Sequence, residues 1–423
     1  MPSEQRSVPA LTVTTSACTD LGPLIPLVDP GSPLVWMRRG FGMIGIGEAL
    51  RLEFTGPNRI ADAAAAWQRV VACASVTDDV GVSGTGLVAF GSFAFAEGST
   101  MTSVLIVPSM LVGRSPQGSW VTRVTVDDPG VSAHDAPPAP LPEVVPFGEP
   151  ASVDLLPGTL SREAYFAAVG TAVAHIRRHE LEKVVLARDA VGRLPEGFDI
   201  RGVIRELARG YPDCWTFAID GFLGSSPETL VSVMAGTVTA RVLAGSAARG
   251  TDAASDETAS TALATSSKDL DEHQFAVQNV LASLRPHSPS VMASELPFTL
   301  KLPNLWHLAS DVDGELTDGS TSLDLVGSMH PTAAVAGTPT ALALSLIGEL
   351  EPFDRGRYAG PVGWVDAAGD GEWAVALRSA QVSADGTVTA YAGAGIVADS
   401  APERELVETR LKFRPIVEAF RGQ

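Results

Sequence analysis

The chain is poor in cysteine and in positive charge, and it has no long apolar run. Its three cysteines, Cys18, Cys73 and Cys214, are odd in number, far apart and outside CxxC spacing. Neither a disulfide framework nor a zinc site is expected, and a reducing compartment fits. No stretch approaches the roughly twenty apolar residues that a membrane span needs. The first nine residues, Met1 to Pro9, lack the apolar core of a signal peptide, so the expected location is cytoplasmic with no membrane partner. Lysine and arginine total 30 against 49 acids, a formal charge of −19. A field of that sign repels nucleic acid, which is not expected as a partner. It also opposes an anionic substrate unless a cation or a local basic cluster reverses the sign. No GxGxxG follows a strand, and neither a GxSxG elbow nor an HExxH motif is present, so dinucleotide, serine-hydrolase and zinc-protease chemistries lack support.

What is present is the composition of a globular protein, 45% hydrophobic and 19% charged, with 41 glycines and 30 prolines to make turns. Leu87 to Phe90 and Ser103 to Val107 read as strands, and Ile60 to Ala74 reads as a helix. A proline-rich stretch at about 132–150 reads as a connection, so residues 1–150 form an N-terminal part and 151–423 a second part. In the second part Ser161 caps a helix whose Phe166, Val169, Val173 and Ile176 share one face. Lys183 to Ala187 reads as a strand. Ser232 to Leu243 and Ala376 to Ala392 each read as strand, glycine turn and returning strand. Their shared Gly-Thr-Val-Thr-Ala hints at two related sheets, with chance as the alternative. Ser266 to Leu284 and Pro402 to Phe420 read as helices, the second with Ser400 and Glu403 in capping-box spacing. Hairpins followed by helices, without regular βαβ units, predict an α+β architecture.

Several side chains could carry chemistry. Glu405, Glu408 and Lys412 share a face of the last helix; alone, such a set is usually a solvated ion pair. Asp269 and Glu272 share a helix face as well, and alone they read as a charged helix start. Two glutamates with few nitrogen or sulfur ligands suit magnesium better than zinc. Lys183 opens an apolar strand, where a lysine either snorkels to solvent or, in a dry or cationic site, becomes a general base. Glu228, after Ser226-Pro227, and His330, before Pro331, are ambiguous alone. The closely spaced Gly393 and Gly395 would let backbone N–H groups approach an anion.

Taken in order, these segments resemble one family. Lys183-Val184-Val185-Leu186-Ala187-Arg188, Ser226-Pro227-Glu228 and Ala244-Gly245-Ser246-Ala247-Ala248-Arg249-Gly250 are similar to motifs of the chorismate-binding enzymes. So are Lys268-Asp269 to Glu272-His273, His330-Pro331-Thr332-Ala333-Ala334, Tyr358-Ala359-Gly360-Pro361, Gly393-Ala394-Gly395-Ile396 and Pro402-Glu403-Arg404-Glu405 to Glu408 and Lys412. The likeness runs over about residues 155–420. It implies a two-layer α/β type of α+β fold: two antiparallel-rich sheets packed together, helices outside, and the active site between the sheets. It implies that 151–423 is the catalytic core and chorismate the substrate. It implies Mg2+ as cofactor, held by Glu272 and Glu408, with Lys183 as the base that activates water and Glu228 as the acid that protonates a departing hydroxyl. Tyr358 and Arg378 match positions that hold the enolpyruvyl carboxylate. Gly245, Ser246, Gly393, Gly395 and Lys412 match other substrate or metal-shell positions, and His330 is expected to line the pocket.

The family comprises isochorismate, salicylate, anthranilate and aminodeoxychorismate synthases. Anthranilate-type members commonly carry Gly-Thr-Arg at Gly245-Ser246-Ala247 and threonine at Ala334, whereas isochorismate-forming members resemble this chain at both places. Water is therefore the expected nucleophile and isochorismate, for menaquinone or siderophore synthesis, the expected product. No glutaminase subunit is expected, and the chain is expected to be a monomer. Salicylate formation by a further pyruvate elimination is the nearest alternative, followed by a non-catalytic chorismate-binding protein.

Overall fold

The computed structural model describes residues 9–19, 21–126, 140, 143–149, 151–303 and 305–422. Most of the proline-rich stretch at about 132–150, and residues 1–8, lie outside the described residues. Among those described, two large sheets carry all the strands. One has thirteen strands and the other ten, and every pairing is antiparallel except Leu11–Cys18 with Ser75–Asp78. Eight helices accompany them: α1 (Arg59–Cys73), α2 (Arg162–Arg177), α3 (Ile200–Gly210), α4 (Ala253–Thr265), α5 (Ser267–Leu284), α6 (Ser322–Met329), α7 (Thr340–Leu350) and α8 (Pro402–Arg421).

The sheets pack face to face because their strands are apolar on both sides. In Leu34–Arg38, Leu34 and Trp36 point inward to meet Phe90, Val362 and Trp364 of the smaller sheet. The alternate residues Val35 and Met37 point outward, under α3 and α8. Strand Val88–Ser92 behaves in the same way: Val88 and Phe90 face the other sheet, while Ala89 faces the layer containing α1, α5 and α6. Each large side chain so buried contributes roughly 1.5–3 kcal/mol. Helices α2 and α7 cover the Lys183–Arg193 strand. The expected arrangement of two antiparallel-rich sheets with outer helices is observed.

Both sheets draw strands from both sides of the proline-rich stretch. In the larger sheet Leu34–Arg38 pairs with Trp215–Ile219, and in the smaller Val88–Ser92 pairs with Pro361–Asp366. The two expected hairpins form, one in each sheet. In the first, Ala235 and Gly236 both have positive φ (49° and 84°), the turn that matches strand twist.

Helix starts follow local chemistry. Ser161 accepts a hydrogen bond from Ala164 N, and Ser266 accepts one from Asp269 N, fixing where α5 begins. The expected capping box at α8 is corrected by the structure. Its N-cap is Ala401, with no side-chain cap, and Ser400 Oγ instead accepts from Val397 N to close the preceding turn. Pro402 begins the helix, where its missing N–H costs nothing.

A buried ion pair locks the strand that carries Lys183. Glu351 accepts from Ala187 N at 2.7 Å and from Arg355 at 2.6 and 2.8 Å. Arg355 in turn donates to Val185 O at 2.7 Å and Val335 O at 3.0 Å, and both side chains are 2% exposed. Removing one partner of such a pair strands the other charge in the interior. Glu351→Ala should therefore cost about 3–5 kcal/mol in urea unfolding; a loss below about 1 kcal/mol would show that the pair is replaceable.

Candidate active site

A cavity of about 280 Å³ opens where the ends of the two sheets meet α5 and α8. The larger sheet contributes Lys183, Gly393 and Gly395, and the smaller contributes Gly245, Ser246 and His307. Asp269 and Glu272 come from the first turns of α5, and Glu405, Glu408 and Lys412 from α8. Glu228, Tyr358 and Arg378 complete the wall. Every site residue expected from sequence lies here except His330.

Lys183 opens its strand with Nζ 2.5 Å from Glu272 Oε1. Gly395 is on the adjacent strand, opposite Val185, and a Cβ there would lie 2.9 Å from Lys183 Cε. A side chain at Gly395 would make the lysine stem shift. Glu408 pairs with Lys412 across one helical turn at 2.6 Å, and Lys412 also donates to Gly393 O at 3.1 Å.

Glu228 follows the last residues of strand Phe222–Ser226 and is buried. Burial pushes its pKa up to about 7, against the opposing pull of Lys183, Lys412 and Arg378. Its carboxyl group accepts no hydrogen bond among the described residues, so nothing competes for its proton.

Arg378 holds the left-handed backbone conformation (φ 50°) just before strand Ser379–Val382, and its side chain is buried. A non-glycine residue in that region is strained, a feature that concentrates at working sites. Its Nη2 donates to His307 Nε2 at 3.3 Å. Burial, then Arg378 and Lys412, drive the His307 pKa down to about 3, so the ring is neutral and can accept. Tyr358 stacks on Tyr391 with ring centroids 5.4 Å apart, and its hydroxyl lies beside Gly393. Burial raises its pKa to about 12, keeping it a donor. Gly245 (φ 82°) sits in a register break between Leu243 and Ser246. That bulge turns the strand end toward the cavity.

His330 is corrected by the structure. It caps the end of α6 and packs edge-on against Phe95, with Nε2 2.9 Å from Phe95 O. Burial lowers its pKa to about 4, so Nε2 carries the proton for that bond. It lines a separate cavity beside α1 and α7. Of residues 330–337, only Ala334 and Val335 line the active-site cavity. Sequence reasoning missed His307 and Tyr391, each of which reads as an ordinary strand residue. Asp269 and Glu405 were visible by helical spacing but carried no assigned role.

The donor set suits a hard divalent cation. Asp269, Glu272, Glu405 and Glu408 bring carboxylate oxygens from two helices into one cavity, and no thiol lines it. Among the described residues no three acidic, histidine or cysteine side chains form a ready-made cage. Magnesium, which commonly uses one or two carboxylates with waters and substrate oxygens, fits such a site.

The family model described as chorismate binding enzyme matches residues 34–421. DhbC of Bacillus subtilis, an isochorismate synthase, is 42% identical over 270 residues, covering 61% of this chain and 68% of that protein. The isochorismate synthase MenF of the same organism is 34% identical over 268 residues, 62% of this chain and 57% of its own length. The crystal structure of DhbC from Bacillus anthracis superposes with a TM-score of 0.76 at 29% identity, over 94% of this chain and 98% of that one. MenF of Escherichia coli, at 24% identity and a TM-score of 0.79 over 97% and 96%, shares the fold.

The Glu228 environment generates a stability test. Its pKa is about 4.5 unfolded and about 7 folded, so between these values the native state holds a proton that the unfolded state has lost. The resulting stability is complete below pH 4.5 and disappears as pH rises through 7, a change of about 3 kcal/mol. Urea unfolding of Glu228→Gln should lack this component. Parallel wild-type and variant curves from pH 4.5 to 8 would show that the carboxyl is ordinary.

Proposed function

The chain belongs to the chorismate-binding enzyme family, and from that premise we propose that it is an isochorismate synthase, adding water at C2 of chorismate as the 4-hydroxyl departs. The observation that carries this reading is Glu228, a buried carboxyl whose pKa burial raises to about 7, in one cavity with the amine of Lys183.

The chemistry balances with these two groups. In the proposed step Lys183 Nζ accepts a proton from the incoming water, whose oxygen bonds to C2. The ring double bonds shift, the C4–O bond breaks, and Glu228 delivers its proton so that water leaves. One water enters, one departs, and the protons redistribute through solvent. Each proton transfer supplies about 10²–10⁴-fold.

Chorismate is a dianion, and cationic or donor groups offset its charge. Arg378 and Tyr358 hold the enolpyruvyl carboxylate, with neutral His307 acting as the support that orients Arg378. Gly245, Ser246, Gly393, Gly395 and Lys412 shape the other end. Magnesium, held by Glu272 and Glu408, would supply the positive charge that binds the ring carboxylate. Ser246 and Ala334 both line the cavity, which favours water over ammonia on the residue preferences already described. No helix of the described residues is long and apolar enough to cross a membrane. We place the enzyme in the cytoplasm as a monomer without a glutaminase subunit. Its product would feed menaquinone or a catecholate siderophore.

Incubation with chorismate and magnesium, followed by chromatography, should give isochorismate alone. Salicylate with pyruvate, or an aminated product that requires ammonium, would overturn the proposal. Lys183→Ala should lower kcat by about 10²-fold or more with an unchanged circular dichroism spectrum; full activity would remove Lys183 as the base. Calorimetric titration with magnesium in the presence of chorismate should show binding weakened about tenfold or more in Glu272→Gln and in Glu408→Gln. Unchanged affinity would place the ion elsewhere.

A further inference from the structure

A second cavity, on the outer face of the larger sheet, concentrates positive charge in a protein that otherwise has little. Its volume is about 500 Å³. Five guanidinium groups line it: Arg38, Arg39, Arg114, Arg205 and Arg209. No carboxylate is among its described lining residues, although the chain carries 49 acids and a net charge of −19. Arg205 and Arg209 come from the end of α3, Arg38 and Arg39 from the turn after Leu34–Arg38, and Arg114 from the strand Met110–Ser115. Three separate stretches of the chain thus converge on one hollow.

The internal partners are few. Arg39 pairs with Asp213 at 2.7 Å at the exposed rim. Arg38 lies over the Trp215 ring, 4.3 Å from its centroid, and Arg114 lies over the Phe41 ring and donates to Gly22 O at 3.4 Å. Arg205 lies over Phe147 at 4.3 Å. Its Nε is 3.4 Å from Glu206 but lacks the alignment of a hydrogen bond, so it is buried and unbonded. A buried unpartnered guanidinium N–H costs free energy unless something accepts from it. Arg209 makes no hydrogen bond or ion pair among the described residues. The floor is apolar, formed by Ile25, Met37 and Phe147.

We infer that this hollow binds a small organic anion, one with a phosphate or carboxylate head carrying about two charges and an apolar ring or chain. The head takes the exposed guanidinium edges of Arg205 and Arg209. The apolar body rests on Met37 and Phe147. The site is separate from the active-site cavity, which shares none of its lining residues.

Calorimetric titration of the full chain with phenyl phosphate tests this. Saturable binding is expected, weakening with salt, and phenol should give no comparable heat because it keeps the ring and lacks the charge. The double variant Arg205→Gln/Arg209→Gln should bind about tenfold or more weakly. Arg209→Glu alone, at an exposed position on α3, keeps the fold and should also weaken binding severalfold. Arg378→Ala, in the other cavity, should leave the heat intact. Binding lost in Arg378→Ala but retained in the two helix variants would overturn the site, as would no saturable heat at millimolar phenyl phosphate.

Discussion

The architecture of the active-site cavity depends on a carboxylate buried behind it. Glu351 holds the backbone of the Lys183 strand at Ala187, and its partner Arg355 holds that strand again at Val185. The same guanidinium ties Val335, next to the cavity-lining Ala334, into this arrangement. Two points of the wall are thereby set by one buried ion pair. Lys183 can then meet Glu272 across a narrow gap, with Gly395 leaving space beside the lysine stem. Precision at the lysine therefore originates in residues that never touch the cavity's Lys183 end.

Much of the fold was legible because local chemistry and global packing agree. Ser161 and Ser266 cap the helices they precede, and the Ala235-Gly236 turn joins the strands the alternation suggested. Where the sequence misled, a stronger competing partner explains it. Ser400 has capping-box spacing, but its hydroxyl is taken by Val397 N. His330 stands in a motif that reaches the cavity at Ala334, but the end of α6 turns its ring onto Phe95 O. Helix α4 left no apolar stripe to find, since it is built largely of alanine, serine and threonine.

The site itself was legible as a set of residues and not as an electrostatic arrangement. Helical spacing puts Glu405, Glu408 and Lys412 on one face, but only the packing of α8 against the sheets decides that this face meets a cavity instead of solvent. His307 could not have been singled out, because its strand position resembles any other. Its meaning comes from Arg378, which approaches from a distant part of the chain in a strained backbone conformation. The unusual protonation of Glu228 likewise follows from burial, a property of the assembled sheets.

The interleaving of early and late strands has a consequence for biosynthesis. Leu34–Arg38, almost wholly apolar, has Phe41–Ile46 on one side from the start. Its other side must wait for Trp215–Ile219. During translation this strand therefore presents an open, sticky edge until nearly half the polypeptide has followed it out of the ribosome, the kind of edge that invites aggregation. A nascent chain of this design needs chaperone cover or slow, guarded emergence, and overproduction should fail first at that edge.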